Sequence, residues 1–183
     1  MSIAGPQDVL TFWFEEHGQA DWFGGGPAMD RKIVERFADT HAAIARGEGW
    51  TWRSSPRYRL AEIVVLDQFS RQIHRGTAKA YAQDPMALVL AQELVARGDN
   101  EKLSEQERVF AYLPYMHSES LPVHDEAMRL YAALGNQDTL EYERLHRDLI
   151  ARFGRYPKRN AIIGRVSTPE ELAYIAEDPA RDF

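Results

Sequence analysis

Apolar residues recur along this chain at spacings of three and four, the pattern of helices that bury one face. A first helix opens at Pro6 and carries Val9, Phe12 and Trp13 inward; a loop containing GGGP follows, in which Trp22 and Phe23 are too apolar for water and are expected to fold back onto the core. The spacing predicts a second helix from about Ala28 to Arg46, with Ile33, Phe37, His41 and Ile44 inward and Gly47 as its stop. Ser55 and Pro56 cap and open a central helix that Gly76 terminates, and Asp84 with Pro85 starts another that runs to Gly98. A capping box of Ser104 and Glu107 opens a helix disturbed at its end by Pro114. Helices from Leu121 to Leu134 and from Thr139 to Phe153 end at Gly135 and Gly154, and Thr168, Pro169 and Glu171 open a last one reaching about Glu177.

No segment alternates with period two, so the expected fold is all-α: seven to eight antiparallel helices in a single domain over residues 1–183, stacked as a short solenoid or gathered as a bundle. No 34-residue repeat is legible.

The stretch Leu60 to Arg75 changes character halfway. Its apolar face of Leu60, Ile63 and Val64 continues one turn later into Asp67, Gln68, Arg71, His74 and Arg75, while Val65, Leu66, Phe69 and Ile73 stay apolar. The expectation is a helix buried on one side along its length, with a polar site on the other side of its second half. Asp67 and Arg71 are spaced for an ion pair.

Charge sharpens the picture. The net charge of -6 argues against a nucleic-acid binder. Between Asp148 and Glu170 there is no acid, however, and Arg152, Arg155, Lys158, Arg159 and Arg165 place five positive charges there, leaving the rest of the chain at -11. In RFGRYPKRN, Gly154 allows a sharp helix exit, Pro157 stiffens the loop and Asn160 can hold backbone groups, so Arg155, Arg159 and Arg165 have fixed stems suited to carboxylate or phosphate. Those partners could be internal, Asp67 and Glu119, or an external anion. There is no cysteine, and the first ten residues show neither a charged leader nor an apolar signal core; no apolar run is long enough to span a bilayer. A cytoplasmic protein without membrane partners is expected.

In LPYMHSE, His117, Ser118 and Glu119 sit at a corner between helices, as caps and first-turn residues or as the lining of a pocket. Glu143 and His146 form one Glu-x-x-His, half of a di-iron pattern whose second half is missing; the histidine spacing demands no metal, and no motif calls for a cofactor.

With FWF at Phe12 to Phe14, WF at Trp22 and Phe23, LDQFSR at Leu66 to Arg71 with HRG at His74 to Gly76, LPYMHSE at Leu113 to Glu119, and FGRYPKRN at Phe153 to Asn160 followed by Gly164 and Arg165, the chain resembles the mostly bacterial family called domain of unknown function 924. The resemblance covers nearly the whole chain and implies a fold similar to tetratricopeptide-repeat helical arrays. The family usually reads DQFPRN, HSE and FGRFPHRN, so Ser70, Gln72, Tyr156 and Lys158 depart from its pattern.

The expected function is binding of a small anionic ligand, phosphate or carboxylate, or of a peptide carboxylate, with Asp67, Arg71, His117, Glu119, Arg155 and Arg159 meeting in space and Gln68, His74, Arg75, Ser118, Asn160 and Arg165 around them. Two alternatives use the same residues: a hydrolase of anionic substrates with His117 or His146 as general base, and a protein-interaction scaffold. Nothing in the pattern specifies an oligomeric state.

Overall fold

A computed structural model describes residues 3–177, apart from the side chain of Phe23, so the inward placement expected of that residue lies outside what is described. Every regular element among the described residues is helical. In chain order they are α1 (Pro6–Leu10) running into a π-helical turn (Thr11–Glu15), α2 (Gln19–Gly24), α3 (Gly26–Ala45), a 3-10 turn (Glu48–Ser54), α4 (Pro56–Val64), a second π-helical turn (Val65–Phe69), α5 (Ser70–Ile73), a 3-10 turn (Ala78–Tyr81), α6 (Asp84–Ala96), a 3-10 turn (Asp99–Lys102), α7 (Glu105–Met116), α8 (Leu121–Leu134), α9 (Gln137–Phe153), α10 (Arg159–Ile162) and α11 (Pro169–Glu177). The eleven α segments correspond to the expected long helices, with α4, the π turn and α5 forming one run, plus α2 and α10, which are too short to show a period.

The described chain forms two compact units. One takes the chain up to Arg75 together with Lys79–Pro114; the other takes Gly76–Ala78 together with everything from Tyr115 onward.

In the first unit, aromatic rings make the core. Phe12 meets Phe37 edge-on at 4.9 Å, Trp13 meets Phe69 at 5.5 Å, and Trp22 meets Phe110 at 4.8 Å while its indole N–H donates to the Trp13 carbonyl. Such pairs bring their quadrupoles edge to face and add about 1 kcal/mol each beyond burial. The central run lies inside this core and is not buried on one side only: every residue from Arg59 to Ser70 is buried, Glu62, Asp67 and Gln68 included. The run is enclosed by tertiary packing: α4 lies against α1, α6 and the 3-10 turn Glu48–Ser54, and the π turn lies against α3 and α6, so polar groups on every side must find partners inside.

The second unit is built on α8 and α9, joined by Gly135 and Asn136 and packed along each other. Asn136 caps α9 by accepting the Thr139 N–H at 3.2 Å. Leu149, Ile150 and Tyr156 form a buried cluster against Leu121, Phe153 and Tyr174. Both expected capping boxes are present: Ser104 N–H to Glu107 at 2.8 Å with Glu107 N–H to Ser104 Oγ at 3.3 Å, and Thr168 N–H to Glu171 at 2.7 Å with Glu171 N–H to Thr168 Oγ1 at 3.2 Å. Asp84 opens α6, as expected of Asp84 and Pro85, and turns its carboxylate to Arg71. Pro114 lies inside α7, which runs on to Met116.

Candidate functional site

The residues singled out from the sequence form two groups, one in each unit. In the first, Arg71 donates to both carboxylate oxygens of Asp84, at 2.9 and 3.0 Å, and lies 3.2 Å from Asp67 four residues before it. Burial works against its charge, but Asp67 and Asp84 more than offset that and hold the guanidinium protonated, above its ordinary pKa. Gln68 donates its amide to the second oxygen of Asp67. Arg75 makes a two-pronged bond to Asp30 at 2.6 and 2.8 Å, and the ring of His74 stands edge-on to His41 at 5.2 Å. Asp84 and Asp30 are the partners that sequence reasoning missed. Nothing local in the sequence pairs either with its arginine, because the partners lie 13 and 45 residues apart along the chain.

His41 and Ser70 form a serine and histidine pair at 2.7 Å. Ser70 spends its own proton on the Leu66 carbonyl at 2.6 Å, so the histidine Nε2 is the donor and the hydroxyl is not activated as a nucleophile.

The second group surrounds the end of α7. The carbonyls of Met116, its last residue, and of His117 and Ser118 just beyond it point out of the helix end and need partners from elsewhere. Each is taken by a side chain from farther along: Met116 by the Tyr156 hydroxyl, His117 by Arg159 Nη1 at 3.0 Å, and Ser118 by His124 Nε2 at 2.8 Å. Sequence reasoning chose His117 and Ser118 for their side chains, whereas the fold uses their backbone. A cation at a helix C-terminus also complements the helix dipole, which fits Arg159.

Tyr156 ties the group together. Its N–H donates to Glu119 at 2.8 Å, and its ring lies under the Arg159 guanidinium at 4.4 Å. Its oxygen is 3.2 Å from His124 Nε2. Because that nitrogen faces a carbonyl, it carries a proton; the other ring nitrogen of His124 then shares a second proton with Glu143 across 2.7 Å. Glu143 and His124 are fully buried, and burial raises the Glu143 pKa although His124 opposes it. His146, one turn on from Glu143, donates Nδ1–H to the Tyr142 carbonyl at 2.7 Å. Burial drops its pKa to about 3, assisted by the charges of His117, His124 and Arg159. It is therefore neutral at pH 7 but a poor general base.

Three arginines of the basic segment, Arg152, Arg155 and Arg165, find carboxylates in their own unit. Arg165 grips both oxygens of Glu119 at 2.6 and 2.8 Å. Burial alone would raise the Glu119 pKa, and this fork, the Tyr156 N–H and nearby Arg159 hold it below the usual range. Arg155 grips Glu171 in the same way at 2.6 and 2.8 Å and lowers that carboxyl's pKa to about 2, helped by the Thr168 N–H and Asn160. Glu171 was legible as a cap; its second use, as anchor for Arg155 and Asn160, was not. No group of three or more histidine, aspartate or glutamate side chains among the described residues is arranged to hold a metal.

No curated protein matches the chain. A solved structure of a protein of unknown function from Agrobacterium tumefaciens, ATU0120, shares 41% sequence identity with it, over 94% of this chain and 97% of that one, with a TM-score of 0.89. The profile of the family described as bacterial protein of unknown function, DUF924, matches residues 9–178. The motifs that tie the loop Phe153 to Asn160 to the corner after α7 therefore sit in a chain that belongs to the DUF924 family.

Proposed function

We propose that the corner formed by the end of α7 and the basic segment binds a small anion, a phosphate or a carboxylate, including one carried by a peptide. The observation that carries this reading is the concentration of positive charge in one stretch of chain: five cations and no acid lie between Asp148 and Glu170. Arg152, Arg155 and Arg165 reach out of that stretch to Glu170, Glu171 and Glu119. The Arg159 guanidinium is clamped between the Tyr156 ring and the His117 carbonyl, so holding its in-plane N–H edge toward an oxyanion costs little side-chain entropy. A planar fork favours phosphate or carboxylate over chloride. The weak basicity of buried His146 makes binding without turnover the better-supported role.

Thermal unfolding in sodium sulfate or phosphate, against sodium chloride at matched ionic strength, tests this. Occupancy at ten times Kd stabilises the native state by about 1.4 kcal/mol, which chloride screening does not reproduce. Arg159→Ala combined with Lys158→Ala is expected to remove the sulfate-specific gain, and Arg159→Lys to weaken it while keeping the charge. Equal shifts in sulfate and chloride, or a gain retained in the double variant, would show that the arginines serve the fold alone.

A further inference from the structure

Lys32 and Glu35 stand one turn apart on α3, a spacing at which opposite charges ordinarily pair. They do not pair here. The Lys32 ammonium reaches across to His17, Nζ to Nε2 3.2 Å, and among the described residues no ion pair joins Lys32 or Glu35 to another side chain. His17 is prepared as an acceptor by its other nitrogen, which lies 2.9 Å from the Phe12 carbonyl and so must carry the ring proton. The residues leading into His17 are wound as the π turn Thr11–Glu15, closed by Glu16 N–H on the Thr11 carbonyl at 3.0 Å, a distortion often found at functional sites.

Beside this bridge a second one fixes the wall: Arg36 bonds Glu16 at 2.6 Å and lies over the Phe12 and Phe37 rings at 5.1 and 5.4 Å. An open depression of about 400 Å³ lies here, lined by Phe12, Glu16, His17, Lys32, Glu35 and Arg36. Its formal charge is balanced, yet its positive pole at Lys32 and its negative pole at Glu35 are held apart, and only Arg36 and Glu16 neutralise each other by contact. A simple anion would meet two glutamates there, and a simple cation would meet lysine and arginine. Only a molecule bearing both charges gains at both poles.

We propose that this depression binds a zwitterionic α-amino acid, its carboxylate on Lys32 and its ammonium on Glu35. The volume is within the range of small-molecule sites. The test is NMR titration of the full chain with glycine, L-leucine and L-glutamine, against N-acetyl-L-leucine, which lacks the positive charge, and L-leucinamide, which lacks the negative one. The zwitterions are expected to shift the resonances of His17 and Lys32, and both blocked forms to bind at least about tenfold more weakly. Lys32→Met and Glu35→Gln, both at exposed positions, are expected to abolish binding without unfolding the protein. His17→Ala removes neither pole but frees Lys32 to fall back along α3 onto Glu35, so binding should be lost there too. The proposal is overturned if no amino acid binds, if either blocked form binds as well as L-leucine, or if His17→Ala leaves the affinity unchanged.

Discussion

Arg71 and Arg144 each face two acids, and burial decides what each pair is worth. Arg71 is 19% exposed between Asp67 and Asp84, while Arg144 is 51% exposed between Glu141 and Asp148. Truncating Arg71 strands two carboxylates away from water, so Arg71→Ala is expected to cost about 3 kcal/mol, whereas Arg144→Ala, whose glutamate and aspartate are rehydrated, should cost under about 1 kcal/mol. Urea unfolding of the two variants measures this, and equal midpoints would refute the claim that burial sets the difference. Ser70→Ala is a smaller case. It leaves the buried His41 Nε2–H without an acceptor, an expected loss of about 2 kcal/mol by the same measurement.

At the scale of elements, the sequence was most legible where capping chemistry is local. The Ser104 and Thr168 boxes and the glycine stops at Gly47, Gly98, Gly135 and Gly154, all with positive φ, fall where the residue types require them, because each depends only on neighbours within one turn. The central run was misread for the opposite reason. Periodicity shows which face is apolar but not how many neighbours enclose the other, and Arg59 and Glu62, which precede the π turn, are already buried by the elements packed around the run. The partners of the site arginines were hidden similarly: Arg155 with Glu171 and Arg165 with Glu119 are pairings of tertiary structure, among several equally charged alternatives. The five-charge basic segment could be read directly; which carboxylate meets which arginine could not.

For the molecule as a whole, buried histidines set the acid limit. Burial lowers the pKa values of His146 and His41 to about 3 and about 4 in the folded state, from the ordinary 6.5. Between those values the unfolded chain binds more protons, so folding stability should fall as pH drops from 6.5 toward 4, by about 1.4 kcal/mol per pH unit for each histidine that is neutral when folded and charged when unfolded. Glu171 and Glu119, whose pKa values are depressed, add their losses only below about 4.5. Unfolding midpoints measured from pH 7 to 4 should therefore decline before Glu119 and Glu171 contribute, and His146→Gln should flatten that upper part of the decline. A flat profile between pH 6.5 and 5 in the parent protein would contradict neutral burial of these rings.

The three carbonyls at the end of α7 also have a consequence in time. The clasp of His124 on Ser118 closes a loop of six residues, whereas Tyr156 on Met116 and Arg159 on His117 close loops of 40 and 42. Short loops close first, because closure entropy and search time grow with the length of chain between the ends. The turn into α8 can thus be set while the basic segment is still unfolded, and the later arrival of Arg159 locks a corner that already exists. In refolding kinetics, His124→Ala should slow folding, while Arg159→Ala should chiefly speed unfolding, so that the Arg159 half of the corner is the last part to assemble and the first to come undone.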